Sequence, residues 1–163
     1  ILAMILAFVL ILGTMVIQFR SYRQALIVIL VIPLALSGVF IIFALTGTPL
    51  SFPALIGILA LFGIVVNNSI MLVEKINQNL EQGMGFVQAL SEGSASRLEP
   101  ILFTSVTAII GLIPITISDP FWQGLGGAII AGLTFSGTIA LLFIPVVYYM
   151  MFAGEYGGRK RSR

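Results

Sequence analysis

Five long apolar segments constrain the fold of this chain more than any other feature. The hydrocarbon core of a bilayer is about 30 Å thick, so a helix needs roughly 20 apolar residues to cross it. The five segments have about that length and contain no charged side chain; they are residues 1–19, 25–45, 53–73, 100–117 and 123–151. We therefore predict an all-α, polytopic membrane bundle of five transmembrane helices that has the lipid bilayer as its surroundings.

The composition excludes a soluble globular domain. Of the 163 residues, 59% are hydrophobic and 9% are charged, whereas about a quarter of the residues in soluble domains are charged. The bundle accounts for residues 1–153, and residues 154–163 form a basic tail. Because the first segment begins without a polar flank and without a basic leader, it does not resemble a signal peptide, and we interpret the chain as a piece of a longer protein.

The polar stretch of residues 74–99 separates the third and fourth segments. Apolar residues at roughly helical spacing favour a short interfacial helix on the membrane surface; they are Phe86, Val87, Leu90 and Leu98. Gly83, Gly85 and Gly93 favour an irregular polar loop instead, and the pattern leaves both alternatives open.

The third segment has a clearer start, because Pro53 suits the first turn of a helix and Ser51 can act as its N-cap.

All eight Lys and Arg residues fall on one side of the predicted membrane. They are Arg20 and Arg23 after the first span, Lys75 and Arg97 after the third, and four residues within 159–163. The connections on the other side, residues 46–52 and 118–122, contain none. The positive-inside rule therefore predicts that the N-terminal end lies outside and that the tail is cytoplasmic. Since the net charge of +2 arises from the tail, we predict no nucleic-acid partner.

The residue types needed for most catalytic and metal sites are missing from the sequence. There is no cysteine and no histidine, and we find no phosphate-binding glycine loop and no nucleophile with a base partner. We therefore predict that the chain is not an enzyme and that it has no cofactor and no metal site.

Two adjacent amides, Asn67 and Asn68, lie about two-thirds of the way along the third span. Lipid cannot satisfy their donors and acceptors, so at least one should face another helix or an internal water path. They can serve as hydrogen-bonding contacts between helices, which the spacing favours. Alternatively, they can stand beside a titrating carboxylate of another helix.

The fourth span contributes Thr104, and Arg97 precedes it by two helical turns on nearly the same face. The Thr104 hydroxyl is expected to bond back to its own helix or to reach a neighbour, and Arg97 suits an anchor at the membrane interface.

The fifth span has small residues at every fourth position, which predicts close helix packing. We call these five residues the small-residue stripe: Gly124, Ala128, Gly132, Ser136 and Ala140.

The sequence resembles the C-terminal membrane half of a permease of the resistance-nodulation-division (RND) superfamily, in its hydrophobe and amphiphile efflux branch. The segments that carry the resemblance are VIPL at 31–34, GIVVNNSIMLVE at 63–74, RLEPILFTS at 97–105, GLIP at 111–114, DPFW at 119–122 and IPV at 144–146. Their order, the loop lengths and the orientation fit that family across nearly all of residues 1–153.

The resemblance implies that the five helices are spans eight to twelve of a twelve-span bacterial inner-membrane pump, which exchanges protons for exported compounds. It implies as partners the N-terminal half of the same permease, two further copies in a homotrimer and, in a Gram-negative cell, a periplasmic adaptor and an outer-membrane channel. Asn67 stands where many members have a lysine paired with aspartates of the fourth span. Thr104 matches a threonine of the same polar cluster, and Arg97 matches a nearby arginine. Because Asn67 cannot form an ion pair, the lysine mechanism does not carry over.

These observations predict part of a proton-motive-force-driven transporter that exports hydrophobic or amphiphilic compounds, with Asn67, Asn68, Thr104 and Arg97 along the proton relay. One alternative is another member of the superfamily, either a heavy-metal exporter or a protein-export auxiliary. A second alternative is a non-transporting membrane scaffold, in which the polar residues only join helices.

Overall fold

The computed structural model describes residues 2–19 and 21–157, and the described residues form six helices without a strand. The helices are α1 (Leu2–Phe19), α2 (Tyr22–Ile29), α3 (Val31–Thr46), α4 (Phe52–Glu81), α5 (Phe86–Ser118) and α6 (Pro120–Gly157). Side chains are described for all of these residues except 3, 4, 7, 8, 12, 15, 16, 18, 19, 138 and 155–157. The predicted all-α fold is confirmed. Arg20 and residues 158–163 of the predicted tail lie outside the described residues.

Three stretches are long and apolar enough to cross a membrane: α2 with α3 over Tyr22–Thr46, then α4, then α5. A fourth is present if the two parts of α6, Pro120–Gly137 and Ile139–Gly154, count as one span with a bend of 46°. The remaining predicted segment, residues 1–19, coincides with α1, an 18-residue helix. A count of five spans therefore stays a prediction.

The second predicted span is interrupted between α2 and α3. The interruption lies at Leu30, three residues before Pro33. Proline has no N–H, so the carbonyl of Ile29 lacks the donor that would normally come from position 33. The eight-residue helix α2 is consequently a separate unit at the start of this span.

The start of α4 agrees with the prediction for the third span. Ser51 is the N-cap, Pro53 lies in the first turn, and the Ser51 Oγ accepts a hydrogen bond from the Ala54 N–H at 3.4 Å. This cap satisfies one of the N–H groups that a helix start leaves unpaired.

The polar stretch of residues 74–99 is neither a separate interfacial helix nor an irregular loop. Its first part continues α4 to Glu81, and its last part opens α5, which runs without interruption into the membrane segment. Gly83 ends α4 in a left-handed conformation, with φ of 82°. The N–H of Met84 bonds to the Asn79 carbonyl at 3.2 Å and that of Gly83 to the Leu80 carbonyl at 3.1 Å, which is the Schellman arrangement.

Helix α6 packs against α3, α4 and α5 and so forms the centre of the bundle. Close approach to α4 depends on glycine: a Cβ on Gly57 would lie 2.5 Å from the Leu125 carbonyl oxygen. On the α3 side, a Cβ on Gly38 would overlap the Phe135 side chain. Because interhelical packing in a membrane depends on contact and not on water exclusion, these glycines determine how closely the helices approach.

Candidate functional site

Asn67 and Asn68 lie on α4 at the surface of this bundle. The Asn67 side chain is exposed, and that of Asn68 is half-buried, whereas the next residue, Ser69, is buried and donates to the Val65 carbonyl at 2.7 Å. Neither amide has a hydrogen-bond partner among the described residues. Within the described part of the chain, no other helix supplies the hydrogen-bonding partner that at least one of them is predicted to face.

Helices α4 and α5 run antiparallel, and two contacts define their register. The Asn79 Nδ2 donates to the Ala89 carbonyl at 3.3 Å, and a Cβ on Gly93 would lie 2.8 Å from the Ile76 Cγ1. Extended along both helices, this register puts Asn68 level with Ile101. Measured along the bundle, Thr104 therefore lies about one turn from the two amides toward the start of α4, and Arg97 lies about one turn from them toward its end.

The side chains of Thr104 and Arg97 make no hydrogen bond with the amides. The Thr104 hydroxyl is exposed and donates to the Pro100 carbonyl of its own helix at 2.8 Å, which is the back-bonded state. Arg97 is half-buried, and its Nε has no hydrogen-bond partner among the described residues. The four predicted site residues thus lie within about two helical turns of one another along the bundle, but no hydrogen bond connects them.

We use "polar strip" for Asn67, Asn68, Thr104 and Arg97. Each has hydrogen-bonding capacity that the described helices leave unused, since even a back-bonded hydroxyl keeps acceptor capacity. A chain of amide and hydroxyl groups can orient water and hold the charged form of a neighbouring acid, but amides do not titrate near neutral pH. A proton carrier for this strip would have to come from outside the strip.

The first part of the small-residue stripe, from Gly124 to Gly132, lies where α6 meets α4. Gly124, Ala128, Gly132 and Ser136 are buried, and Ala140 is half-buried. A Cβ on Gly124 would lie 2.5 Å from the Ser51 Oγ, and one on Gly132 would overlap the Leu61 side chain. Two glycines of the stripe thus touch α4 or the residue that caps it.

A second polar cluster was not anticipated from the sequence. Gln24 of α2, Asn77 of α4 and Tyr148 of α6 are joined by hydrogen bonds. They are 53 and 71 residues apart in sequence, and each lies near a span end, where polar residues are ordinary. A single sequence contains no signal that would have grouped them.

The part of the chain that the structure describes contains no group of three or more Asp, Glu, Cys or His side chains arranged to hold a metal ion.

Comparison with known proteins shows a family relationship over almost the whole chain. The family model described as AcrB/AcrD/AcrF matches residues 1–152. The chain is 32% identical over 155 residues to the swarming motility protein SwrC of Bacillus subtilis, covering 92% of this chain and 15% of that protein. It is 36% identical over 138 residues to the multidrug resistance protein MdtC of Erwinia amylovora, covering 82% of this chain and 14% of that protein.

Metal-resistance proteins are among the relatives as well. The cobalt-zinc-cadmium resistance protein CzcA of Cupriavidus metallidurans is 31% identical over 150 residues, which is 90% of this chain and 14% of CzcA. The crystal structure of a heavy metal efflux pump superposes with a TM-score of 0.77 at 27% identity, covering 93% of this chain and 15% of the pump.

The chain thus spans about 15% of the length of these relatives. Its apolar helices and this relationship identify a multi-pass segment of an inner-membrane transporter. The extended match to the family model, together with relatives above 30% identity, establishes that the chain belongs to the AcrB/AcrD/AcrF family of RND efflux permeases.

Proposed function

We propose that this chain is part of an efflux transporter that exports hydrophobic or amphiphilic compounds by proton antiport, driven by the proton motive force. In this proposal Asn67, Asn68, Thr104 and Arg97 line the proton relay. The observation that carries it is the polar strip: four polar residues within about two helical turns of one another along the bundle, each with some bonding capacity that the described helices leave unused. In lipid such groups require a partner.

The partner of the polar strip is, in our proposal, the N-terminal half of the same permease. The chain corresponds to a small part of its relatives, so further helices are available to cover an exposed amide. A carboxylate on one of those helices would supply the titrating group that the strip lacks. Asn67 and Asn68 would then hold water or the ionised carboxylate in place by hydrogen bonds, as neutral donors instead of as a paired cation.

The proposed arrangement in the cell follows from the family and from the positions of the charges. Arg23 and Lys75 lie at the same end of the bundle, which we call the basic end, because Gln24 and Asn77 are hydrogen-bonded there. Arg97 lies about three turns into α5, between this end and the two amides. We propose that the basic end faces the cytoplasm. The working unit would be a homotrimer of the full-length permease, with a periplasmic adaptor and an outer-membrane channel in a Gram-negative cell.

A heavy-metal exporter is the second candidate, because CzcA and the heavy metal efflux pump resemble this chain about as closely as the multidrug relatives do. The polar strip is compatible with either cargo, since its proposed role is in the transfer of protons and not in the binding of the exported compound. A non-transporting scaffold is the third, and there the strip would only join helices.

Reconstitution of the full-length permease in proteoliposomes with an imposed pH gradient tests the proposal and separates the three candidates. We expect ethidium to cause proton flux across the membrane and to be transported against its gradient, while Co²⁺ causes neither. Flux that responds to Co²⁺ and not to ethidium would identify the metal exporter. A protein that folds and reconstitutes but moves neither cargo nor protons would be a scaffold, contrary to the proposal.

A further inference from the structure

Three helices are joined by one hydrogen-bond network at the basic end. The side chains of Gln24 and Asn77 form a reciprocal amide pair: the Gln24 Nε2 donates to the Asn77 Oδ1 at 3.0 Å, and the Asn77 Nδ2 donates to the Gln24 Oε1 at 3.1 Å. The Tyr148 hydroxyl donates to the same Asn77 oxygen at 2.6 Å and accepts from the Gln24 Nε2 at 3.3 Å. Each of the three residues is therefore bonded to both of the others, and Asn77 takes part in three of the four bonds.

The burial of this network favours a closed state that persists. Tyr148 is only 1% exposed, and its ring stacks on that of Phe152 with centroids 4.7 Å apart. If the network opened, the Tyr148 hydroxyl would lose its partners in a place with little access to water, which is more costly than a lost bond at the surface. The two amides are half-buried and would lose theirs at a smaller cost. We interpret the network as a fixed joint between α2, α4 and α6.

The joint complements the contacts that hold the other half of α4. Toward the opposite end, α4 is held against α6 at Gly57, whose Cβ would meet the Leu125 backbone, and at Leu61, which fills the space beside Gly132. Toward the basic end, Asn77 supplies the polar attachment to α6 and to α2. Asn67 and Asn68 lie between these two attachments, so the rotation of α4 at their level depends on both.

Rotation matters because adjacent helix positions point about 100° apart. At present Asn67 faces out of the bundle and Ser69 faces in. A modest rotation or tilt of α4 would change the direction in which the two amides point, although neither amide belongs to the joint itself. Substitutions along a contiguous packed network can change coupling in this way without touching the site.

We propose that Asn77 is a positioning residue for proton coupling: held by Gln24 and Tyr148, it sets the rotation of α4 and thereby directs Asn67 and Asn68 toward the proton-carrying part of the permease. This inference rests on the proposed role of the two amides. It adds three residues outside the polar strip on which the relay depends.

The test uses the full-length permease in proteoliposomes, with ethidium as the cargo, or Co²⁺ where the cargo assay identifies a metal exporter. For Asn77→Ala we expect a maximal export rate on the order of tenfold lower, with the half-saturating cargo concentration and the membrane abundance unchanged. Tyr148→Phe removes one hydroxyl and leaves the amide pair, so its rate should fall less. Gln78→Ala is the matched control, because Gln78 is the exposed neighbour of Asn77 on α4.

An exchange of the two amides gives the decisive comparison. Gln24→Asn together with Asn77→Gln keeps the number of carbons between α2 and α4 and restores a reciprocal pair, so we expect export within about twofold of the unmodified permease. Wild-type export by Asn77→Ala, or a folded exchange variant that exports no better than Asn77→Ala, would overturn the inference. If Asn77→Ala does not accumulate, an unchanged rate in Tyr148→Phe overturns it.

The same assay distinguishes failure of this inference from failure of the proposed function. If Asn67→Leu lowers export and Asn77→Ala does not, the relay stands and only the positioning role is wrong. If Asn67→Leu has no effect, the relay itself is wrong, and any effect of Asn77→Ala then reports bundle stability.

Discussion

Replacement of Asn67 by leucine in the full-length permease is expected to lower export by a factor of about 3 to 30, with membrane abundance unchanged. The range corresponds to the roughly 0.6 to 2 kcal/mol that an interhelical hydrogen bond contributes in a membrane. Because Asn67 is exposed and has no described partner within this chain, its loss should not weaken the α4 packing seen here. The effect should appear in transport measured in proteoliposomes and not in the amount of folded protein.

Two further variants make this result specific to the amide. Asn67→Gln retains a carboxamide and should keep part of the export rate. Met71→Leu changes an apolar side chain one turn further along the same exposed face, where Met71 is 41% exposed, and should export normally. Full export by Asn67→Leu would contradict the assignment of Asn67 to the relay, and equal losses in Asn67→Leu and Met71→Leu would indicate a general packing effect.

The helices could be predicted from the sequence where the membrane dictates them. Segment length and the absence of charge identified the apolar parts of α3, α4, α5 and α6, and Ser51 with Pro53 identified where α4 begins. The helix ends near residues 74–99 could not be predicted from hydropathy, because a helix does not stop where its surroundings become polar. Gly83 ends α4, since it adopts a left-handed conformation that other residues rarely adopt.

The glycines of the polar stretch were misleading for a physical reason. In isolation Gly85 and Gly93 weaken a helix, and this is why the sequence left an irregular loop open. In the structure Gly85 is the N-cap of α5, and Gly93 is buried where α5 crosses close to Ile76 of α4. Tertiary contact compensates for the weak intrinsic preference, and tertiary contact is not visible in a single sequence.

For the candidate site, the sequence could predict which residues are out of place in lipid but not which neighbours they have. Asn67 and Asn68 stand out because amides are costly at that depth. Gln24, Asn77 and Tyr148 do not stand out, because polar side chains near a span end can be solvated. Only the bundle geometry shows that Tyr148 is buried and that the three residues meet.

The contact between α4 and α6 leads to a prediction about stability: Gly57→Ala should lower the free energy of unfolding by about 1 to 3 kcal/mol, the usual cost of adding a methyl group to a closely packed site. The new Cβ would lie 2.5 Å from the Leu125 carbonyl oxygen and 3.0 Å from its Cα. These are backbone atoms, which cannot move aside by a change of rotamer, so α4 and α6 would have to separate. The thermal unfolding midpoint of the detergent-solubilised permease and its abundance in the membrane should both fall.

Gly111→Ala is the matched control, because Gly111 lies within α5 and a Cβ there would meet nothing within 4 Å in this chain. Alanine is the better helix former of the two by up to about 1 kcal/mol, so this variant should be neutral or slightly more stable. The same substitution, glycine to alanine within a helix, would then lower the unfolding midpoint at Gly57 and leave it unchanged or raise it at Gly111. The difference between the two midpoints would report the contact with α6 and not helix propensity. Equal unfolding midpoints for the two variants would contradict close α4–α6 packing at Gly57.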